Sequence, residues 1–250
     1  MTGAERDDAP RAADLWVATA LLTRLPLPVT PDWSRGARAA WAYPLAGLVA
    51  AVVAAGIGGA VGWVAAPPVA VLATVVALAM VTGALHEDGL ADTADGLWGG
   101  HDRARRLEIM RDSRIGSYGV LALVFAALLK VTALWATGAW VAALLAAAVL
   151  SRAVMVVVMA SLPHARADGL ARLTGRAPSW AAWGAMLVAM LVALALTGWA
   201  AFAALLAAGG AAVAVALLAR ARIGGQTGDI LGATQQVAEV AVLVVLSGLI

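Results

Sequence analysis

The chain has no cysteine, which removes disulfides, thiolate catalysis and cysteine-built zinc sites and leaves the redox compartment open. Charge is scarce as well. Only 13% of the 250 residues are Asp, Glu, Lys or Arg, against about 25% in a soluble domain. Ala39 to His86 and Ala177 to Ala219 contain none of these residues, and each stretch is long enough for two bilayer-crossing helices of roughly 20 residues. Hydrophobic residues make up 63% of the chain and the mean hydropathy is +0.90. Composition therefore argues against a water-soluble globule and makes the lipid bilayer the expected solvent. Met1 to Arg11 lacks the basic segment that opens a secretory signal and reads as a short polar tail. No repeat of roughly 20 to 50 residues and no low-complexity linker divides the chain.

Breaks at Gly, Pro and charged residues give seven spans, approximately 40 to 64, 68 to 85, 117 to 137, 139 to 162, 179 to 197, 200 to 219 and 236 to 250. The expected architecture is all-α: a polytopic integral membrane helix bundle forming a single domain over residues 1–250. Asp14 to Val29 is apolar but short and broken by Arg24, Pro26 and Pro28, so it reads as an N-terminal interfacial or re-entrant segment. The formal net charge is +2 and the pI about 9.7. The arginines sit in short segments between apolar runs, which fits membrane topology and gives no extended face for nucleic acid. With the first span entering from the cytoplasm, the loops 86 to 116, 163 to 178 and 220 to 235 fall inside and carry arginines, whereas 65 to 67, 138 and 198 to 199 carry no charge. Gly58 and Gly62 have the small-xxx-small spacing of packed transmembrane helices, read here as intramolecular packing while leaving a homo-oligomer open.

The polar residues concentrate in His86 to Gly119. If the second span continues helically past its apolar end, Asp88, Asp92 and Asp95 sit at i, i+4 and i+7 and project from one face, with Glu87 beside them. Three carboxylates on one stripe repel unless a cation sits among them. Glu108 and Asp112 repeat the i, i+4 spacing, and a turn at Gly96, Gly99 and Gly100 brings the two helical pieces together. Hard oxygens without Cys or His partners suit Mg²⁺ or Mn²⁺, with substrate phosphates completing the shell. Arg111 and Arg114 are placed to contact phosphate oxygens. A second polar island runs from Arg220 to Glu239. Its Gly224, Gly225, Gly228 and Gly232 let backbone amides approach an anion, and Gln226, Thr227 and Asp229 add hydrogen bonds; taken alone, that glycine pattern is more often a tight helix connection. Lys130 and Arg152 lie inside spans and are expected to face the bundle interior, with Arg152 divided between substrate contact and a structural ion pair. His86 reads as a hydrogen-bonding neighbour, and His101 and His164 carry no usable pattern.

At LTRLP (Leu22 to Pro26), YPLAG (Tyr43 to Gly47), HEDGLADTADG (His86 to Gly96), RLEIMRDSRIGSYG (Arg106 to Gly119) and GGQTGDILGA (Gly224 to Ala233) with Glu239, the sequence resembles the adenosylcobinamide-GDP ribazoletransferase (cobalamin synthase) family. The resemblance implies a Mg²⁺-dependent enzyme of the bacterial cytoplasmic (inner) membrane, with its site on the cytoplasmic side. It implies joining of adenosylcobinamide-GDP to α-ribazole or its 5′-phosphate, with release of GMP. On that reading Asp88, Asp92 and Asp95, with Glu87, are the expected metal ligands, and Glu108 or Asp112 completes the shell or acts as base. Arg111 and Arg114 stabilise the transferred phosphoryl group, and the 224–229 loop holds nucleotide or ribazole phosphate. The rival within this chemistry is a lipid-synthesising CDP-alcohol phosphotransferase. The D-x-x-D-G at Asp92 to Gly96 echoes that family's motif, but the rest of its spacing is absent. A transporter predicts charges near the bilayer midplane in duplicated halves, which this chain lacks.

Overall fold

Backbone amides in hydrocarbon have no water to bond, so long apolar runs must satisfy themselves as helices. The computed structural model describes residues 9–250; most of the expected polar tail, residues 1–8, lies outside them. The chain runs α1 (Asp14–Leu22), a 3₁₀ segment (Trp33–Ala42), α2 (Tyr43–Val61), α3 (Pro67–Thr82), α4 (Leu85–Gly99), α5 (Arg103–Ile109) and α6 (Ser117–Ala136). It continues through α7 (Trp140–Ser161), α8 (Leu170–Thr174), α9 (Ser179–Thr197), α10 (Ala200–Ile223) and α11 (Gly228–Ser247). Among the described residues there is no strand, only one isolated bridge pairing His164 with Gln226. Among the described residues, six helical stretches are long and apolar enough to cross a membrane, and the bent pair α3 and α4 brings the number to seven if counted as one span. The protein is thus a polytopic all-α membrane bundle.

Two boundaries differ from the sequence expectation. Span two does not continue straight into the acidic stripe, because Gly83 (φ +63) and Ala84 (φ +55) both adopt the left-handed conformation and the axis turns by 89°. Gly83 caps α3 by donating to Met80 O, and its backbone lies against Arg24, which leaves no room for a Cβ. Ala84 takes the same conformation without that freedom, at a cost of about 1–2 kcal/mol. The last helix starts at Gly228 rather than near 236, so the expected 220–235 loop shrinks to 224–227. Gln235, Gln236 and Glu239 are polar, yet all three are buried between helices instead of marking a loop.

α7 is the most enclosed of the spans, packed by α2, α9, α10 and α11. Small residues let these backbones approach. Gly58 faces Thr74 and the Ala70 carbonyl of α3, so the Gly58 and Gly62 spacing serves packing within the chain. A buried polar network runs through the same core. Lys130 of α6 contacts Glu239 Oε1 at 2.6 Å and donates to Gln236 Oε1 at 2.7 Å. Arg152 of α7 lies 3.7 Å from Glu239 Oε2, and Gln235 donates to that oxygen at 2.6 Å. Gln236 in turn donates to Glu87 Oε1 at 3.0 Å, and Lys130 stands 3.8 Å from the same oxygen. Two cations thus meet two carboxylates, which makes their burial tolerable in a bundle interior. Both cations face inward, as expected for intramembrane charges.

The N-terminal segment follows a definite path. α1 lies against α2 and the 3₁₀ segment, pinned by the fully buried Asp14 carboxylate. Arg35 donates to it through Nε (2.7 Å) and Nη2 (2.9 Å), Trp41 through Nε1 (2.8 Å) and the Arg11 amide at 2.9 Å. Burial pushes this carboxyl up, but the hydrogen bonds from Arg35, Trp41 and Arg11 outweigh it and hold the group below its usual value.

Removing one partner of a buried pair leaves the other charge uncompensated, at about 3–5 kcal/mol. Lys130→Met should therefore lower the thermal midpoint in detergent markedly, and adding Glu239→Gln should recover part of that loss. Because the native Asp14 carboxyl is depressed, its contribution is complete above the ordinary carboxylate value near pH 4 and disappears as pH falls through the lowered one. Unfolding midpoints measured from pH 7 downward should fall less steeply in acid for Asp14→Asn than for the unaltered chain, although the variant starts lower.

Candidate active site

The acidic stripe reaches its partners through a close helix crossing. On α4, Gly89 has no room for a Cβ, which would stand 2.9 Å from the Asp229 carbonyl oxygen and 3.2 Å from the Gly232 Cα. Gly232 on α11 meets the backbone of His86 and Gly89 in the same way. This contact gives Gly232 a packing role instead of the anion-approach role its sequence neighbourhood suggested, and it sets the N-terminal turn of α11 against Asp88 and Asp92. Asp92 feels the charges of Asp88 and Asp229, opposed by Arg166. Arg166, from the loop after α7, pairs with the Asp229 carboxylate. Thr227 caps α11 by accepting from Ile230 N at 3.2 Å, and its hydroxyl donates to Asp229 Oδ2 at 3.1 Å.

Asp88, Arg166, Thr227 and Asp229 edge a cavity of about 220 Å³, whose lining does not include Asp92. Its polar margin carries Asp88, Asp229, His164, Arg166, Asp168 and Arg172, and its apolar walls include Leu22, Tyr43, Met155, Met159 and Leu231. Burial and the nearby cations Arg172 and Arg176 lower the His164 pKa, so the ring is neutral at pH 7. The 224–227 connection is clamped rather than free. Gln226 N donates to Pro163 O and Ala165 N donates to Gln226 O, both at 2.8 Å, while Gln226 Nε2 donates to Met159 O (2.8 Å) and Leu162 O (2.7 Å). Gly225 lies directly on the Pro163 carbonyl, and Gly224 (φ +81) ends α10. Gly224 and Gly225 therefore shape the connection, and Gln226, Thr227, Gly228 and Asp229 line the cavity.

Several of the other sequence candidates stand elsewhere. Asp95 accepts from Gly116 N (2.6 Å) and Gly119 N (2.9 Å), satisfying the unpaired amides that open α6. Glu87 turns inward to Gln236 and Lys130. Glu108 and Asp112 are not brought to the Asp88 face, although Gly96 and Gly100 do seat α5 against α4. Glu108 pairs with Arg105 at 2.9 Å, and Arg114 Nη2 donates to Asp112 Oδ2 at 2.6 Å, around a separate shallow surface depression. The Arg114 hydrogen bonds hold the Asp112 carboxyl down at about 2. Arg111 reaches the cavity margin indirectly, by pairing with Asp168. Arg152 does not line the cavity and belongs to the ion-pair network beneath it. Sequence reasoning passed over Arg166 and His164; their one signal was a compact polar loop, His164 to Arg172, between two apolar runs.

Carboxylate oxygens suit Mg²⁺. Among the described residues no three His, Asp or Glu side chains stand together as a complete metal cage. The Asp88 and Asp92 pair, with Asp229 opposite, nonetheless matches a cation that takes one or two carboxylates and leaves its other positions to phosphate and water.

A family profile described as Cobalamin-5-phosphate synthase matches residues 14–247. A Bradyrhizobium diazoefficiens protein named adenosylcobinamide-GDP ribazoletransferase is 44% identical, the aligned region covering 93% of this chain and 92% of the relative. Proteins of the same name from Rhizobium etli (44%; 94% and 96% covered) and Xanthobacter autotrophicus (46%; 93% and 94% covered) are comparably similar. No solved structure matches the chain.

The two aspartate environments separate stability from chemistry. Asp95→Ala strips the buried Gly119 amide and the half-buried Gly116 amide of their acceptor and should cost about 1–3 kcal/mol in thermal or denaturant unfolding. Asp88→Asn, at an exposed position, should leave the unfolding midpoint within about 0.5 kcal/mol of the unaltered chain.

Proposed function

The chain belongs to the cobalamin-5-phosphate synthase family, and we propose on that footing that it joins adenosylcobinamide-GDP to α-ribazole or its 5′-phosphate, with release of GMP. The observation that carries the chemistry is the meeting of Asp88 and Asp229 with Arg166 at the mouth of one cavity, with Asp92 close enough to feel all three charges. A pyrophosphate needs both cationic neutralisation and a place for a hydroxyl to lose its proton, and this margin offers both. Asp88 and Asp92 would hold Mg²⁺, with substrate phosphate and water filling its other positions. The ion, when bound, draws charge from the pyrophosphate oxygens and makes the nucleotide a better leaving group.

The remaining work falls to side chains. Arg166 and Arg172 orient the phosphates through their forked donors. Asp229, steadied by Thr227 and Arg166, holds the arginine in place before substrate arrives. The ribazole 3′-hydroxyl attacks the cobinamide-linked phosphorus: a new P–O bond forms, the P–O bond to the GMP phosphate breaks, and the hydroxyl proton passes to water at the open cavity mouth. Positioning and charge neutralisation supply most of the acceleration. Arginine-bearing loops on this face, with uncharged loops opposite, favour a site on the cytoplasmic side of the inner membrane.

Purified chain in liposomes should release GMP and form the joined corrinoid from adenosylcobinamide-GDP and α-ribazole 5′-phosphate only when Mg²⁺ is present. Asp88→Ala and Asp92→Ala should each reduce kcat by at least roughly 10²-fold while the protein stays folded. Full activity in both variants, or turnover unaffected by chelation, contradicts the assignment; release of CMP from a CDP-alcohol donor in place of GMP points to the lipid enzyme.

A further inference from the structure

Behind its charged margin the cavity runs into a recess between α1, α2, α7 and α11, walled by Leu22, Tyr43, Met155, Met159 and Leu231, all of them buried. No carboxylate belongs to these walls; Asp88, Asp168 and Asp229 are all on the more exposed side of the cavity. Three cavity-lining residues carry unpaired polar atoms: Arg166 at the charged margin, through Nε, and His86 and Gln226 in its depth. His86 and Gln226 are 2% and 1% exposed, and His86 Nε2 and Gln226 Oε1 have no hydrogen-bond partner. Buried polar atoms without partners are costly and call for a complement. The recess thus combines apolar walls with one ring nitrogen and one amide oxygen.

Two nucleosides take part in the proposed reaction, and the recess discriminates between them. Guanine presents several donors and acceptors along one edge and would leave most of them unpaired against Leu, Met and Tyr walls. The base of ribazole is a flat, largely hydrocarbon heterocycle whose polar atoms are few. We infer that the recess seats the heterocyclic base of the acceptor, with its sugar toward His164 at the charged margin. The assignment rests on the transferase reading above and adds which substrate enters the bundle. The bulky corrinoid and the guanine nucleotide then stay on the open side of the carboxylates. Met155 and Met159 form part of the wall with flexible thioether chains, which adapt to bases of differing outline.

The test is a direct titration of the full chain in detergent with α-ribazole and, separately, with GMP, each with and without Mg²⁺, alongside wild-type turnover. Met159→Phe, which fills the recess, and Met159→Ala, which opens it, are compared with the unaltered chain, with folding checked by size-exclusion profile and thermal midpoint. Both folded variants should bind α-ribazole more weakly by roughly 10-fold or more, with GMP affinity unchanged. If one variant fails to fold, the other carries the same expectation. Unchanged α-ribazole affinity, or loss of GMP affinity instead, overturns the assignment and in the second case gives the recess to the donor's base. The transferase reading fails by a different result: a wild type that releases no GMP from adenosylcobinamide-GDP. Ribazole binding sensitive to Met159 in such a protein would still support the recess as a site for this class of base.

Discussion

The crossing of α4 over α11 at Gly89 and Gly232 is the constraint on which the rest of this molecule depends. Two backbones approach there without intervening side chains, and that proximity puts Asp88 on the same margin as Asp229 and brings Asp92 within reach of both charges. One helical turn or two along from the same crossing, Glu87, Gln236 and Glu239 join the Lys130 and Arg152 network. Acids that would repel on a free helix are thereby sorted into two groups, one neutralised inside the bundle and one left open to a phosphate and a divalent ion. A Cβ at either glycine pushes these layers apart together.

Much of this arrangement was legible in the chain. Charge-free runs of the right length gave the spans, and the i, i+4 spacing of Asp88 and Asp92 leaves them close enough to feel each other's charge, with Asp88 alone of the two lining the cavity. Spacing alone failed at Asp95 and Glu87, because a helix face is defined by what packs on it. Asp95 is claimed by the amides of Gly116 and Gly119, and Glu87 by Gln236 and Lys130; both partners are more than 20 residues away. The early start of α11 was hidden for a related reason. Gln235, Gln236 and Glu239 look like loop residues until their partners on other helices are known. Arg166 left no periodic trace, since a loop residue is placed by tertiary contacts and not by helical repeat.

The short α1 shows how a segment too brief to cross a bilayer acquires a function. Asp14 and Arg35 fix its start, and Leu21 and Leu22 at its end help to line the cavity. The lost residues of span become one wall of a binding space.

The capping of α6 by Asp95 has a mechanical consequence. α6 is the least enclosed of the spans, so lipid governs its tilt more than it governs the tilt of α7. Its first amides are tied to a carboxylate one turn beyond Asp92. A helix longer or shorter than the surrounding hydrocarbon relieves the mismatch by tilting, and here any such tilt pulls on the end of the acidic stripe. Where α6 meets lipid, its first turn is therefore held by a neighbouring helix and not by the bilayer.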